Sequence, residues 1–163
     1  MATTKPKNLF STNKFKFFLT GERFKGNQFD LTITGINIPG IQLGIIPMGT
    51  HVRQIDRPGD SITFSDLTIE FLITEEFTEW LEIFNWMSDL RDFQETSFDN
   101  SITSDGHLVL LTNKSNTNIS MTFTDMFPFS LDDLALSLTA TDGESIKGTC
   151  TFKFNGYSIE SNI

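Results

Sequence analysis

Only one stretch of the sequence, residues 75–90, has the periodicity of a helix, and strand-like segments lie on both sides of it. Thr74 precedes it and is suited to be the N-cap. Its apolar residues have the i, i+3, i+4, i+7 spacing of one buried face: Phe77, Trp80, Leu81, Phe84 and Met87. Strands and helices do not alternate along the chain, which excludes a parallel βαβ sheet. We therefore predict a mainly β fold, an antiparallel sheet or barrel with one flanking helix.

Alternation of apolar and polar residues marks the strands on either side of this helix. Residues 67–73 predict a strand directly before it, and Met126–Phe129 interrupts a later strand pattern. Three antiparallel hairpins are predicted, formed by residues 15–19 with 29–34, by 108–111 with 118–123, and by 134–139 with 149–154 through a turn at Asp142–Gly143.

Trp86 does not fall on the predicted buried face of the helix. At about 100° per residue it lies close to Glu79 and Glu82. Two interpretations are open: the ring leans over Ile83 and Leu90 against a sheet, or it is presented to a partner.

Residues 40–64 are rich in glycine and proline and contain only short apolar pieces. A segment of this length without a clear element is usually functional or ordered by a partner. It is either an ordinary surface loop or irregular edge hairpin, or a long loop that reaches another subunit. The candidate inter-subunit contact residues are Arg53, Arg57, Asp60, Phe64 and Trp86.

The length of 163 residues fits one domain, residues 1–163, with a polar N-terminal arm at 1–13 and a C-terminal tail at 158–163.

There are 12 Lys and Arg against 21 Asp and Glu, a net charge of −9. Such a surface repels phosphate, which argues against a conventional nucleic-acid binder and against docking on anionic lipid. No apolar run approaches the roughly 20 residues that span a bilayer, and no secretory signal is visible.

Phenylalanine dominates the aromatic residues, with 17 Phe against 1 Tyr and 2 Trp. Polar-edged pockets and wet binding faces tend to use Tyr, because its hydroxyl finds a hydrogen-bond partner there. The Phe ring has no polar group, so it contributes only apolar packing. The composition therefore indicates packing, within a subunit or between subunits.

The residues that carry most enzyme chemistry are scarce and scattered. His51 and His107 are the only histidines and Cys150 is the only cysteine, and none lies in a recognisable metal-ligand or nucleophile motif. We predict no enzyme, no cofactor and no metal site.

A succession of short motifs in the middle of the chain resembles the tail tube protein family of contractile-tailed bacteriophages. The similarity covers roughly residues 14–157 and is densest from Ile38 to Trp86. The motifs, in order, are Ile38-Pro39-Gly40, Ile46-Pro47-Met48-Gly49, Arg57-Pro58-Gly59-Asp60, Phe64 to Phe71, and a helix with Trp80 and Trp86.

The resemblance implies a subunit of two packed antiparallel sheets, as in a β-sandwich or barrel, with one flanking helix. It also implies that six copies form a ring and that rings stack into a tube, with residues 40–64 reaching neighbouring subunits or rings. It implies tail sheath and baseplate proteins as partners, and tape measure protein and genomic DNA as transient contents of an acidic lumen. The protein would lie in the virion tail after assembly in the host cytoplasm, with no membrane partner. A first ring on the baseplate, a type VI secretion tube protein and a β-barrel that binds an apolar ligand are the alternatives.

Overall fold

The computed structural model describes residues 10–21, 32–49, 52–92, 102–137 and 145–161. Nine strands and one helix lie in these ranges. The strands are β1 (Phe15–Thr20), β2 (Ile33–Asn37), β3 (Ile41–Gly49), β4 (Gln54–Phe64), β5 (Leu67–Leu72), β6 (Ser104–Leu111), β7 (Thr117–Leu131), β8 (Lys147–Lys153) and β9 (Gly156–Ser161), and the helix is α1 (Thr78–Asp92). Among these residues, no helix combines the length and apolar character needed to cross a bilayer.

The strands form two antiparallel sheets. One has seven strands in the order β1-β6-β7-β8-β5-β2, with β9 also bonded to β7, and the other consists of β3 and β4. The predicted fold class, mainly β with two antiparallel sheets and one helix, is confirmed. The chain divides into two compact units that share β7. The first unit holds β1, β6, β9 and β7 up to Met126, and the second holds β2 to β5, α1, β8 and β7 from Phe127.

The core of the first unit is built on one face of its strands. Phe17, Leu108 and Met121 lie side by side on β1, β6 and β7 and are at most 8% exposed. In the neighbouring row, Gly106 leaves room for larger side chains. A Cβ there would lie 3.0 Å from the Met126 sulfur and 3.1 Å from the Phe17 ring. This glycine is therefore required by close packing.

The core of the second unit is built on β5 and β8 and is completed by the helix. Ile69 lies directly opposite Cys150, and Leu67 opposite Phe152, with all four side chains 0% exposed. The Trp86 ring lies 6.1 Å from the Phe152 ring, at an angle of 49°. Aromatic side chains bury about 150–250 Å² each, so this contact contributes several kcal/mol to the stability of the unit.

Of the three predicted hairpins, the second is confirmed and the other two are wrong. β6 pairs with β7 across a turn at residues 112–116. β1 pairs with β6, and β2 with β5; residues 29–31 lie outside the described residues. β8 pairs with β5 and β7, and residues 132–137 are not a strand. The rest of the third hairpin's first strand (138–139) and its turn at Asp142–Gly143 lie outside the described residues. Alternation identifies a strand and its two faces, but it does not identify the neighbouring strand.

Two further expectations about the C-terminal half are corrected. β7 continues through Met126–Phe129 to Leu131, because the register shifts between Pro128 and Ser130 and so accommodates the proline. Residues 158–161, predicted to be part of a tail, belong to β9 and pair with β7.

The helix begins and ends later than predicted and buries a different face. It begins at Thr78, after Phe77 with a φ of 57°. The buried helix residues are Ile83 and Trp86, each 1% exposed, whereas Phe84 is 48% exposed. Phe84 and Trp86 are about 200° apart around the axis, so one face of the helix cannot contain both. The larger indole of Trp86 lies in the core of the second unit, so the ring packs against a sheet and is not presented to a partner.

Candidate subunit interface

Residues 41–49 and 54–64 form an antiparallel hairpin of β3 and β4 with one register shift, which we call the hairpin. Of the structures predicted for residues 40–64, this is the irregular hairpin and not a loop. Its strands have 9 and 11 residues. The Ser65 N–H donates to the Gly40 carbonyl at 3.0 Å and closes its base. The Phe64 ring lies 5.8 Å from the Phe154 ring, which anchors the hairpin to the second unit.

The hairpin exposes large apolar side chains on both of its faces. Ile45 and Ile46 are consecutive and therefore point to opposite faces, and they are 66% and 53% exposed. The other exposed apolar residues of the two strands are Ile41, Leu43, Met48, Ile55 and Ile62. An isolated two-stranded hairpin is marginally stable in water, and a contiguous exposed apolar patch usually marks an interaction site. Both faces of this hairpin therefore expose apolar side chains that another surface could bury.

Two glycines shape a bulge in the middle of the hairpin, where the register shifts between Leu43 and Ile45. A Cβ at Gly44 would overlap the Ser61 hydroxyl, and one at Gly59 would lie 2.9 Å from the Gly44 carbonyl oxygen. The strands approach each other here more closely than side chains would allow.

Four of the five predicted contact residues lie on the hairpin or at its tip. Arg53 directly precedes β4, while Arg57 and Asp60 lie on β4, and all three are exposed. Phe64 lies at the base and contacts Phe154 of the same chain. Trp86 lies in the core of the second unit and leaves no surface for a partner. The hairpin therefore holds the exposed members of the predicted set.

A second apolar surface lies on the outward side of α1 and was assigned to the core by the sequence. We call it the helix stripe; it consists of Phe77, Trp80, Leu81 and Phe84. Leu81 and Phe84 are 45% and 48% exposed, and the Trp80 and Phe84 rings stack 5.4 Å apart at 9°. The Trp80 Nε1–H is buried without a hydrogen-bond partner among the described residues. Such an orphan donor costs about 1–3 kcal/mol. The exposed part of the stripe is Leu81 and Phe84, whereas Phe77 and Trp80 are half-buried.

The described residues that could take part in catalysis or metal binding have structural contacts instead. On the first unit the His107 imidazole lies 2.9 Å from the Thr20 hydroxyl and 3.2 Å from that of Thr122. Burial, with the charge of Asp132 nearby, raises the pKa of Cys150 to about 12, which keeps its thiol protonated and poorly nucleophilic. His51 lies outside the described residues. Within the described ranges no group of three or more His, Cys, Asp or Glu is arranged to hold a metal.

Comparison with known proteins gives one sequence relative and a consistent set of folds. No protein-family model matches the chain. The chain is 22% identical over 140 residues to the tail tube terminator protein of Enterobacteria phage T4, across 82% of this chain and 80% of that protein.

Among solved structures, a chain of the anti-feeding prophage baseplate superposes with a TM-score of 0.69, 14% identity and 98% coverage of each chain. The tube terminating cap of the same prophage gives 0.65, with 15% identity and 99% coverage of each. Hcp1 from Salmonella typhimurium gives 0.55, with 14% identity over 91% of this chain and 87% of that one. The chain has the fold of contractile-tail tube proteins. The resemblance to this family is thus confirmed, through similarity to a tube terminator and through the tube fold.

Proposed function

We propose that this chain is a structural, non-enzymatic subunit of a phage tail tube, in which six copies form a ring and rings stack. The observation that carries the proposal is the hairpin, whose apolar residues are exposed on both faces in a chain with a tube fold. Within a ring, a neighbouring copy covers one face. In a stack, a copy of the next ring covers the other.

The size of the hairpin supports this role. At about 3.3 Å per residue, the 11 residues of β4 extend up to roughly 36 Å. This is long enough to lie across a neighbouring subunit. The strand order of the second unit ends at β2, whose outer edge has no described strand beside it. Closing strands into a ring removes such edges, which otherwise recruit other chains.

The charge supports a conduit for DNA. With a net charge of −9 per subunit, a ring repels the phosphate backbone over a Debye length of about 8 Å. DNA would pass through such a lumen without adhering to its wall. In this proposal the sheath and baseplate are lasting partners, tape measure protein and DNA are transient contents, and the virion tail is the location.

A second position in the same assembly is favoured by the sequence relative, which is named a tube terminator. A terminator forms the last ring, so it stops the stack. A repeating subunit extends the stack without limit. The two positions share the ring and differ in whether purified rings continue to stack.

The β-barrel that binds an apolar ligand is disfavoured by the packing of the cores. Phe71 and Phe152 in the second unit, and Phe123 in the first, are 0% exposed and occupy the interior sides of their strands. Such interiors are packed with the chain's own side chains.

The test is electron microscopy of the purified protein with sedimentation analysis across a range of concentrations. We expect six-membered rings; long tubes assign the repeating position and single rings assign the terminal one. A double variant, Ile45→Asp with Ile46→Asp, should remain a folded monomer. The control Leu136→Asp alters a residue that is 71% exposed and lies outside the hairpin, and it should still assemble. A wild-type chain that stays monomeric at every concentration contradicts the proposal.

A further inference from the structure

We infer that the hairpin of one copy packs against the helix stripe of the next copy in the ring. This inference rests on the proposed ring and adds the identity of the surface that receives the hairpin. Two observations on the same chain lead to it: the hairpin exposes apolar side chains on both faces, and the helix stripe exposes Leu81 and Phe84.

A ring requires two different surfaces on each subunit, because a head-to-tail contact joins unlike patches. The hairpin and the helix stripe are unlike, since one is a two-stranded ribbon and the other a row of side chains at the start of a helix. The hairpin strands contain 20 residues, 9 in β3 and 11 in β4. An interface of standard size uses roughly 20–30 residues on each side. Each face of the hairpin offers about half of these residues, so its contact with the helix stripe is one part of a larger contact with the neighbouring copy.

The cross-strand pairs identify which hairpin face fits. Ile46 lies opposite Arg57, and Met48 lies opposite Ile55, so these four side chains share one face. All four are exposed. The face thus presents three apolar side chains beside a guanidinium group.

The charges at the margins complement each other. The helix stripe begins directly after Glu75 and Glu76, which are both exposed. Arg57 on the hairpin face can approach these carboxylates while Ile46 and Met48 contact Leu81 and Phe84. Opposite charges at the rim of an apolar contact fix its register more than its strength.

The test is site-directed crosslinking between different chains. Affinity-tagged Ile46→Cys chains are mixed with untagged Leu81→Cys chains during assembly and treated with a short bismaleimide. The native Cys150 thiol does not compete, because it is buried and stays protonated near neutral pH. We expect tagged–untagged dimers to exceed the control by about a hundredfold, since neighbouring thiols in an assembly react at a high effective concentration.

The matched control replaces Leu81→Cys with Leu136→Cys, an exposed position on neither surface. Met48→Cys, on the same hairpin face, substitutes for Ile46→Cys if the latter blocks assembly. Rings seen by microscopy with crosslinking at the control level overturn this inference and leave the ring proposal standing. Predominant Leu81→Cys homodimers also overturn it, because they place two helices together. Absence of rings in the unmodified protein removes both proposals.

Discussion

Strands β4 and β5 follow each other in the chain and both carry large apolar residues, yet they end in opposite environments. On β5, Leu67, Ile69 and Phe71 are 0% exposed, whereas Ile55 and Ile62 on β4 are 40% and 53% exposed. β5 has hydrogen-bonded strands on both sides, β2 and β8, while among the described strands β4 pairs with β3 alone. Burial of its apolar side chains stabilises a strand. The neighbouring elements of the same chain bury those of β5, whereas those of β4 stay exposed and are available to another copy.

The helix repeats the same contrast on its two sides. Trp86 faces the core of its own unit, while Leu81 and Phe84 of the helix stripe are about half exposed. The chain therefore combines two buried cores with two exposed apolar surfaces, the hairpin and the helix stripe. Four experiments test this contrast.

The largest effect should come from the two sides of α1. Trp86→Ala should lower the free energy of unfolding by about 3–5 kcal/mol, because it leaves a cavity against Phe152. Phe84→Ala removes a side chain that is 48% exposed and should cost about 1 kcal/mol or less. Urea denaturation of the dissociated chain measures both values. Equal losses in the two variants would remove the distinction between core and stripe.

The two faces of the hairpin should separate ring closure from stacking. Ile46→Asp places an unpaired carboxylate against the neighbouring helix stripe and should weaken ring formation by about a hundredfold or more. Ile45→Asp changes the opposite face and should leave rings intact while reducing their stacking. Sedimentation and electron microscopy of the two variants give the comparison. A reversed pattern assigns the faces the other way round.

A smaller effect is expected from the cations of the hairpin. Replacing Arg53 and Arg57 by Glu should weaken assembly by about tenfold, with little change in the thermal stability of the single chain. The control, Lys16→Glu with Lys114→Glu, makes the same change in net charge at exposed positions of the first unit. If the arginine variant instead unfolds at lower temperature, these side chains stabilise the subunit and not the contact.

The smallest effect concerns Cys150 in the core of the second unit. Its pKa is raised from 9.0 to about 12 in the folded chain, so the unfolded chain loses this proton first as the pH rises. The contribution of this thiol to stability is therefore present below about pH 9 and declines towards pH 12. A thiol reagent at pH 8 should label it far more slowly in the folded than in the denatured chain. Rapid labelling of the folded protein would show that this core opens.

Several elements could be predicted because their signals are local. The strand before the helix and the hairpin across residues 112–116 depend on alternation and on turn residues that lie close together in sequence. The candidate contact residues on the hairpin follow from an unusual density of Gly and Pro between apolar pieces, and they stay a prediction. The pairing of β3 with β4 was only one of the alternatives left open, because those same glycines and prolines disguise the strands.

The sequence by itself determined that this protein is antiparallel, mainly β and built with one helix, because side-chain periodicity and the order of elements are properties of the chain alone. Only the tertiary structure decided that β1 pairs with β6, that Trp86 is buried while Phe84 is exposed, and which apolar strands stay uncovered. Closing a longer loop adds only about 0.6 kcal/mol per doubling of its length, so distant strands compete with near ones as partners. A helix that is apolar on more than one side can pack on either, and the choice depends on the volume that the neighbouring sheet leaves to be filled.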